Sequence, residues 1–232
     1  MVSSPLPNLL VPVAVDPHGE RIFLSPEKHD SLADDMLSLQ QIPTDLPFKY
    51  DIFYTTGIQL LQEPMRTTCL HLAKAFHAAK KPVVFDCNLR FSFTSQNHKD
   101  YYTMFSYCHT VSGSDMEELC IITNQSTPQK AADTILQMGC QQVISKCGSR
   151  GADLYTKGRA YHCPALPVTV ADTLGAGDTF AGGVLAAMAE HSSPHEILKL
   201  ATLAAAYEIQ FHGSGTVGNK EQLQQLREQF DF

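Results

Sequence analysis

The chain has 232 residues, enough for one large α/β domain, and its 44% hydrophobic and 18% charged residues are typical of a globular protein. A formal net charge of −7 argues against nucleic acid or an anionic membrane as a partner, and no apolar run is long enough to span a bilayer. The seven cysteines stand singly and form no CxxC pair, which favours reduced thiols in the cytoplasm over disulfides or zinc.

The first half of the chain predicts a hairpin followed by alternating strands and helices. Residues 9–15 and 21–24 are apolar strands joined by an Asp-Pro-His-Gly turn. A buried strand over 51–57 leads to a helix over 63–81, where apolar residues recur every three or four positions, and then to a strand over 82–86. Strand, helix and strand with short links indicate a parallel sheet.

The second half continues the alternation of strands and helices, and the residues that begin or end each element are easier to recognise. A Thr-Pro pair opens one helix that a glycine ends, a Lys-Gly pair turns a hairpin, and a Ser-Pro-His-Glu capping box opens another helix. The predicted elements are helices over 114–122, 127–139, 179–189, 193–211 and from 220 onward, and strands over 143–145, 152–156 and 159–163.

The stretch 172–183, Asp-Thr-Leu-Gly-Ala-Gly-Asp-Thr-Phe-Ala-Gly-Gly, predicts an anion site. The small residues Gly175, Ala176 and Gly177 let backbone N–H groups approach one anionic oxygen, and the following helix adds the positive end of its dipole. Asp178 is then placed to take a proton from an attacking hydroxyl, a combination that suggests phosphoryl transfer. The alternative is a tight turn before a helix.

Three other stretches carry side chains suited to phosphate or metal. Residues 85–90 end a strand and carry Asn88 and Arg90, whose guanidinium could bind phosphate. The alternative is that the stretch forms only a local turn. Residues 114–117, Ser-Asp-Met-Glu, also match a plain capping box. Residues 145–151, Ser-Lys-Cys-Gly-Ser-Arg-Gly, contain two glycines that would let the backbone approach a ligand closely. The alternative is an ordinary turn between two strands.

These motifs together resemble the PfkB (ribokinase-like) carbohydrate kinases. The 172–183 stretch resembles their C-terminal signature, and 86–90 resembles the D-x-N-x-R segment of the 2-keto-3-deoxygluconate kinase and fructokinase branch, with Cys87 where proline is usual. Residues 114–117 resemble the N-x-x-E element with serine replacing asparagine, and 145–151 resemble the V-K-x-G-x-x-G segment. The resemblance implies a three-layer α/β/α fold with a mostly parallel sheet and a small β lid.

The same resemblance implies ATP-dependent phosphoryl transfer to a hydroxyl of a sugar or sugar acid. Asp178 would be the general base, with the amides of 175–177 and Arg90 at the transferred phosphate. The nucleotide would lie against Lys146, Asn88, Gly148, Ser149, Gly151, Gly177 and Thr202. Glu117 would hold Mg²⁺ through water, and Asp172 corresponds to a position that holds a monovalent cation in some relatives.

We expect one kinase domain over 1–232, with a lid remnant at about 9–25 and the nucleotide and catalytic part at about 50–215. Intact family members have a further N-terminal segment that supplies the first parallel strand and much of the sugar pocket, so the resemblance predicts an N-terminally truncated domain. The open sheet edge, or the lid strands, would then pair between two copies. The alternative is a non-catalytic nucleotide-binding or interaction protein.

Overall fold

The computed structural model describes residues 5–8, 13–15, 21–23, 32–89 and 95–232. Strands β1 and β2 form a separate two-stranded antiparallel sheet. A six-stranded sheet has the order β3-β4-β5-β6-β7-β8, with β3 to β6 parallel and the last two strands antiparallel. The strands are β1 Val13–Val15, β2 Arg21–Phe23, β3 Phe53–Thr56, β4 Val83–Asp86, β5 Thr110–Ser114, β6 Gln142–Lys146, β7 Ala152–Thr156 and β8 Arg159–Cys163.

Eight α-helices connect or follow these strands in the described residues: α1 Leu46–Lys49, α2 Met65–Ala78, α3 Ser95–Tyr107, α4 Ile121–Thr123, α5 Pro128–Gln137, α6 Ala176–Ala189, α7 Pro194–Glu208 and α8 Lys220–Gln229. A π-helix, Asp115–Cys120, runs directly into α4. Short 3₁₀ turns lie at Ala33–Asp35, Leu39–Gln41, Gly57–Leu60 and Gly148–Arg150.

Neighbouring side chains on β6 show that the sheet is covered on both faces. Val143 is fully buried in a core that includes Cys69 of α2 and Ile135 of α5, whereas Ile144 is fully buried in a second core with Phe180 of α6. Because successive residues of a strand point to opposite faces, helices α2, α3 and α5 pack on one face and α6 and α7 on the other. The predicted three-layer α/β/α arrangement is confirmed.

Most predicted elements are present, with boundaries shifted by a few residues. The predicted hairpin at the start is confirmed for β1 and β2, while its turn lies outside the described residues. The sequence reasoning missed α3 and β5. The buried face of α3 is aromatic and sulfur-containing, with Tyr101, Met104 and Phe105 at helical spacing, so a search for aliphatic periodicity passes over it.

β3 is the edge strand of the large sheet and pairs only with β4 among the described strands. The sequence predicted a buried strand here, but Thr55 is the one buried residue of the four, because an edge strand has a neighbour on one side. Pairing between two copies through this edge or through β1 and β2 stays a prediction.

Candidate active site

The loop that precedes α6 is tied to the segment after α7 by one carboxylate. Asp172 accepts hydrogen bonds from the Leu174 amide at 2.9 Å and from the Gly213 amide at 3.0 Å, one on each carboxylate oxygen. Gly175 follows with a φ of 84°, and a methyl carbon added to it would lie 2.5 Å from Oε1 of Glu208. Both the backbone conformation and the lack of space therefore require glycine at this position.

α6 begins directly after this glycine and leaves amides free at its start. The Ala176 N–H donates to the Thr173 carbonyl at 3.3 Å, whereas the amides of Gly177 and Asp178 have no acceptor within the described part of the chain. Both of these residues are exposed, and space is open where a side chain at Gly177 would stand. Free amides at the start of a long helix, facing open space, form a site for an anion, and the Asp178 carboxylate stands beside it.

A buried ion pair joins the carboxyl ends of β4 and β6. Lys146 Nζ lies 3.0 and 2.8 Å from the two carboxylate oxygens of Asp86, and the two side chains are 22% and 7% exposed. Burial disfavours the charged lysine, but the carboxylates of Asp86 and Glu118 outweigh that effect and raise the pKa of Lys146. A phosphate contact by Lys146 would therefore compete with Asp86, and that contact stays a prediction.

Glu118, which the sequence reasoning missed, holds the loops after β4 and β5 together. Its Oε1 accepts the Leu89 amide at 2.8 Å and its Oε2 accepts the Ser114 amide at 2.7 Å. The alternative capping box at 114–117 is wrong, because the Ser114 side chain caps nothing and its amide bonds Glu118. Glu117 is exposed, so it faces solvent where a hydrated metal ion has access, and that role stays a prediction.

Tyr54 of β3 links the ion pair to the start of α6. Burial raises the pKa of Tyr54, and the carboxylates of Asp86 and Asp178 raise it further. Such Coulomb effects fall off with distance, so both acidic side chains lie near the same phenol. The end of β4 and the start of α6 therefore both lie near Tyr54, and β4 ends at the carboxyl side of the parallel strands, where open α/β sheets bind ligands; the space between them is called the cleft below.

Asn88 lies in the loop after β4 and adopts a left-handed φ of 38°. The preceding residue, Cys87, is held by α3, because the Tyr101 hydroxyl donates to its carbonyl at 2.8 Å. Arg90, the predicted partner of the transferred phosphate, lies outside the described residues.

The predicted nucleotide segment after β6 is an exposed turn. Gly148 and Ser149 are exposed, and Gly148 has a φ of 59°. Gly151 has a φ of 97°, and a methyl carbon added to it would overlap the Cys163 carbonyl, so the β7–β8 hairpin itself requires this glycine. Thr202 is only 6% exposed in α7. The assignment of these residues to the nucleotide stays a prediction.

A cavity of about 760 Å³ runs from the glycine loop along α6 and is also lined by α7 and α8. Gly175, Asp178 and Glu208 line its end nearest the loop. Glu208 is 1% exposed and accepts the Gly215 amide at 2.9 Å. Sequence reasoning missed this residue too, although a single acidic residue directly after the apolar run 203–207 was a visible signal.

The described residues contain no group of three or more His, Cys, Asp or Glu side chains arranged to hold a metal ion. Across the same ranges, each helix is too short or too polar to cross a membrane.

Comparison with known proteins gives a family match over most of the chain. The model of the family described as pfkB family carbohydrate kinase matches residues 7–221. The aminoimidazole riboside kinase of Salmonella typhimurium is 31% identical over 192 residues, which cover 79% of this chain and 59% of that protein. The 2-dehydro-3-deoxygluconokinase of Thermoproteus tenax is 29% identical over 181 residues, 77% of this chain and 53% of that protein.

Solved structures of the same kind superpose on the chain. Ribokinase from Thermotoga maritima gives a TM-score of 0.79 at 24% identity and covers 98% of this chain and 72% of its own. Aminoimidazole riboside kinase from Salmonella enterica, complexed with aminoimidazole riboside and an ATP analog, gives 0.74 at 26% identity, covering 87% and 69%. These likenesses confirm the ribokinase-like fold, while the chain spans only 59% and 53% of the two curated relatives above.

Proposed function

We propose that this chain, which belongs to the pfkB family of carbohydrate kinases, transfers the γ-phosphoryl group of ATP to a hydroxyl of a sugar or sugar acid. The observation that carries the proposal is the start of α6, where the unpaired amides of Gly177 and Asp178 adjoin an exposed carboxylate and open space. An anion site beside a base is what phosphoryl transfer to an alcohol requires.

In the proposed reaction the substrate hydroxyl attacks the γ-phosphorus while its proton moves to the Asp178 carboxylate. The new O–P bond forms as the bond to the β-phosphate oxygen breaks, and ADP leaves. The amides at the start of α6, Gly177 among them, donate to the γ-phosphoryl oxygens, where negative charge must be held during transfer. Because these donors are already free and fixed by the helix, they need no rearrangement when the phosphate arrives.

The residues near the cleft also fit a nucleotide with its metal. Mg²⁺, when bound, neutralises phosphate charge, and it commonly keeps water ligands and needs only one or two protein carboxylates. The exposed Glu117 fits that requirement, and the lack of a larger acidic cluster in the described residues agrees with it. We assign Asn88 and Arg90 to the transferred phosphate, and the segment 148–151 and Thr202 to the rest of the nucleotide.

The substrate class follows from the relatives and from the segment at 86–90. The first two relatives above are named for an aminoimidazole riboside and a 2-dehydro-3-deoxygluconate, both small molecules with free hydroxyls. We therefore propose a sugar, sugar acid or riboside as acceptor, and neither nucleic acid nor membrane as a partner. Seven buried, unpaired cysteines support a reducing compartment, the cytoplasm.

The test is ADP production with ATP, Mg²⁺ and a panel of aminoimidazole riboside, 2-dehydro-3-deoxygluconate and fructose. Asp178→Asn should lower turnover by a factor of about 10²–10⁴, because proton transfer to a placed base contributes that much. Glu221→Gln is the matched control, since Glu221 is also an exposed acid in the first turn of a helix but lies outside the cavity. The control should keep wild-type turnover.

Calorimetry with ATP and Mg²⁺ separates binding from catalysis. We expect the Asp178→Asn variant to bind ATP about as tightly as the wild type, because the amides of α6 remain. Undiminished turnover in this variant would remove Asp178 from the role of base. Nucleotide binding by the wild-type chain without any phosphorylated product from a broad panel would instead favour the non-catalytic alternative.

A further inference from the structure

Tyr54 of β3 lies on the cleft side of the sheet. Its two neighbours in the strand face α2 instead. The Phe53 ring stacks on Phe76 of α2 with the ring centroids 5.3 Å apart, and the Thr55 hydroxyl lies 3.0 Å from Cys69 Sγ of the same helix. Because successive side chains of a strand point to opposite faces, the Tyr54 ring lies on the face where α6 and α7 pack.

The core beneath α6 and α7 does not extend to this part of the sheet. Its strand residues come from β6, β7 and β8, and across the described ranges it includes none from β3 or β4. In the strand register Tyr54 stands beside Val84 of β4, and Asp86 follows two residues further along that strand. Tyr54 is half-buried there. It therefore lies on the floor of the cleft, close to the ion pair between Asp86 and Lys146.

The hydroxyl of Tyr54 lacks a hydrogen-bond partner within the part of the chain that the structure describes. Tyrosine hydroxyls that are removed from bulk water usually have one. Burial and the carboxylates of Asp86 and Asp178 raise the pKa of Tyr54, so the phenol keeps its proton at neutral pH and can donate one hydrogen bond. A bound molecule with an oxygen atom at this place would accept that hydrogen bond.

The in-line geometry of phosphoryl transfer indicates that the acceptor lies on the same side of the cleft as Tyr54. The attacking oxygen and the leaving oxygen of ADP stand on opposite sides of the phosphorus atom. The segment 148–151, assigned above to the nucleotide, follows β6, and Thr202 lies in α7. β3 is three strands from β6, about 14 Å at the usual spacing, and α6 lies over β5 between them, with Met188 Sδ 3.6 Å from the Thr110 hydroxyl. Since ADP leaves toward β6, the acceptor approaches from the side of β3.

We propose that the Tyr54 hydroxyl donates a hydrogen bond to an oxygen of the acceptor and so selects acceptors that carry a second hydroxyl within its reach. This role rests on the proposed kinase function. Tyr54 forms no covalent bond and takes no proton, because the Asp178 carboxylate receives the proton of the attacking hydroxyl. The hydrogen bond from Tyr54 holds the acceptor so that the attacking hydroxyl faces Asp178 and the phosphate at the start of α6.

The test is steady-state kinetics of the full chain with ATP, Mg²⁺ and the acceptor of the panel that is turned over fastest. Tyr54→Phe should raise the KM for the acceptor about 3–10-fold, since it removes one neutral hydrogen bond. The KM for ATP should not change, because the nucleotide lies on the other side of α6. Tyr50→Phe is the matched control, since Tyr50 precedes the same strand but is 58% exposed, and it should keep both wild-type values.

Acceptors that lack one hydroxyl show which oxygen Tyr54 binds. With the wild type, one deoxy analogue should lose about 3–10-fold in kcat/KM relative to its parent. Tyr54→Phe should turn over this analogue and the parent about equally well, because the same hydrogen bond is absent in both cases.

Four kinetic results would overturn the acceptor contact. They are an unchanged acceptor KM in Tyr54→Phe, an equal rise in both KM values, additive losses with every deoxy analogue, and a fall in kcat alone. The last result would place the hydroxyl on Asp178 as a positioning group. Should Tyr54→Phe fail to fold, crystals of the wild-type chain with the acceptor decide. An acceptor oxygen within hydrogen-bond distance of the Tyr54 hydroxyl supports the contact, and a greater distance rejects it.

Failure of the kinase function gives a different result from failure of the Tyr54 contact. A wild-type chain that phosphorylates no acceptor would refute the kinase function itself. Calorimetry with the same acceptors then decides the role of Tyr54. Weaker binding by Tyr54→Phe than by the wild type supports the contact, and equal or undetectable binding rejects it.

Discussion

Replacement of Gly175 by alanine tests whether the loop before α6 depends on its contact with Glu208. Gly175 and Gly158 have nearly equal backbone conformations, with φ of 84° and 82°. Their surroundings differ, because an added methyl carbon at Gly175 meets Glu208 Oε1 at 2.5 Å, whereas nothing lies within 4 Å of one at Gly158. Gly158→Ala is therefore a matched control that carries the backbone cost without the contact.

The expected loss of unfolding free energy has two contributions, the backbone conformation and the contact of the added methyl group. Alanine in a left-handed conformation costs about 1–2 kcal/mol, which is the whole loss expected for Gly158→Ala. Overpacking against a buried side chain adds about 1–3 kcal/mol, so Gly175→Ala should lose about 2–5 kcal/mol of unfolding free energy. Both substitutions stiffen the unfolded chain equally, so their difference isolates the contacts of the added methyl group, chiefly with Glu208 Oε1 at 2.5 Å and secondarily with Ser214 Cβ at 3.1 Å.

Urea unfolding followed by far-ultraviolet circular dichroism measures both losses, and it suits a chain without tryptophan. The double variant Gly175→Ala, Glu208→Ala should lose less than the sum of the single variants, because the methyl group then meets no carboxylate. Equal losses at positions 175 and 158, or strict additivity in the double variant, would refute the contact.

Two further predictions use pKa shifts. The pKa of Lys146 is raised in the folded state, so its pair with Asp86 stabilises the fold fully below the unfolded lysine pKa of about 10.4. This stabilisation is lost as pH rises through the higher folded pKa. Between pH 8 and pH 11, urea unfolding should therefore show a larger loss of unfolding free energy for the wild type than for the double variant Lys146→Met, Asp86→Asn. Lys146→Met alone leaves the buried Asp86 carboxylate without its partner, so it should lower the free energy of unfolding by about 3–5 kcal/mol at pH 7. An unchanged free energy would contradict the buried pair. Burial raises the pKa of Cys69 to about 11 and of Cys140 to about 12. A disulfide reagent at pH 8 should therefore modify native Cys69 on the order of 100-fold, and native Cys140 on the order of 1000-fold, more slowly than the unfolded thiols, whereas fast labelling of both would show the core to be open.

The sequence predicts best the elements whose ends are determined locally. Thr127 accepts the Lys130 amide at 3.3 Å and opens α5, and Gly139 follows that helix with a φ of 114°. Gly158 likewise turns the β7–β8 hairpin with a φ of 82°. Each of these signals depends on the conformational preference of one or two residues, so it can be recognised without knowledge of the fold.

Side-chain direction in the loops could not be predicted in the same way. Glu117 and Glu118 are adjacent, and a family-like spacing singles out the first, yet it is Glu118 that turns inward to accept the Ser114 amide. The π-helix Asp115–Cys120 contains both residues, and its wider turn changes which position lies beneath the preceding strand. Only the tertiary path of the chain determines that geometry.

The charges around the cleft explain why the glycine loop needs support beyond its own backbone. Asp172 holds the loop through amide hydrogen bonds, Glu208 packs behind Gly175 while accepting the Gly215 amide, and Asp86 lies near Tyr54, so the surroundings of the anion site are acidic. Lys146 offsets Asp86 directly, and no described basic side chain offsets Glu208. Since helix-start amides contribute only partial charges, net attraction for phosphate requires added cations. Calorimetry should therefore show tighter phosphate binding at α6 with MgCl₂ than with choline chloride at equal ionic strength, and equal binding in the two salts would contradict this account.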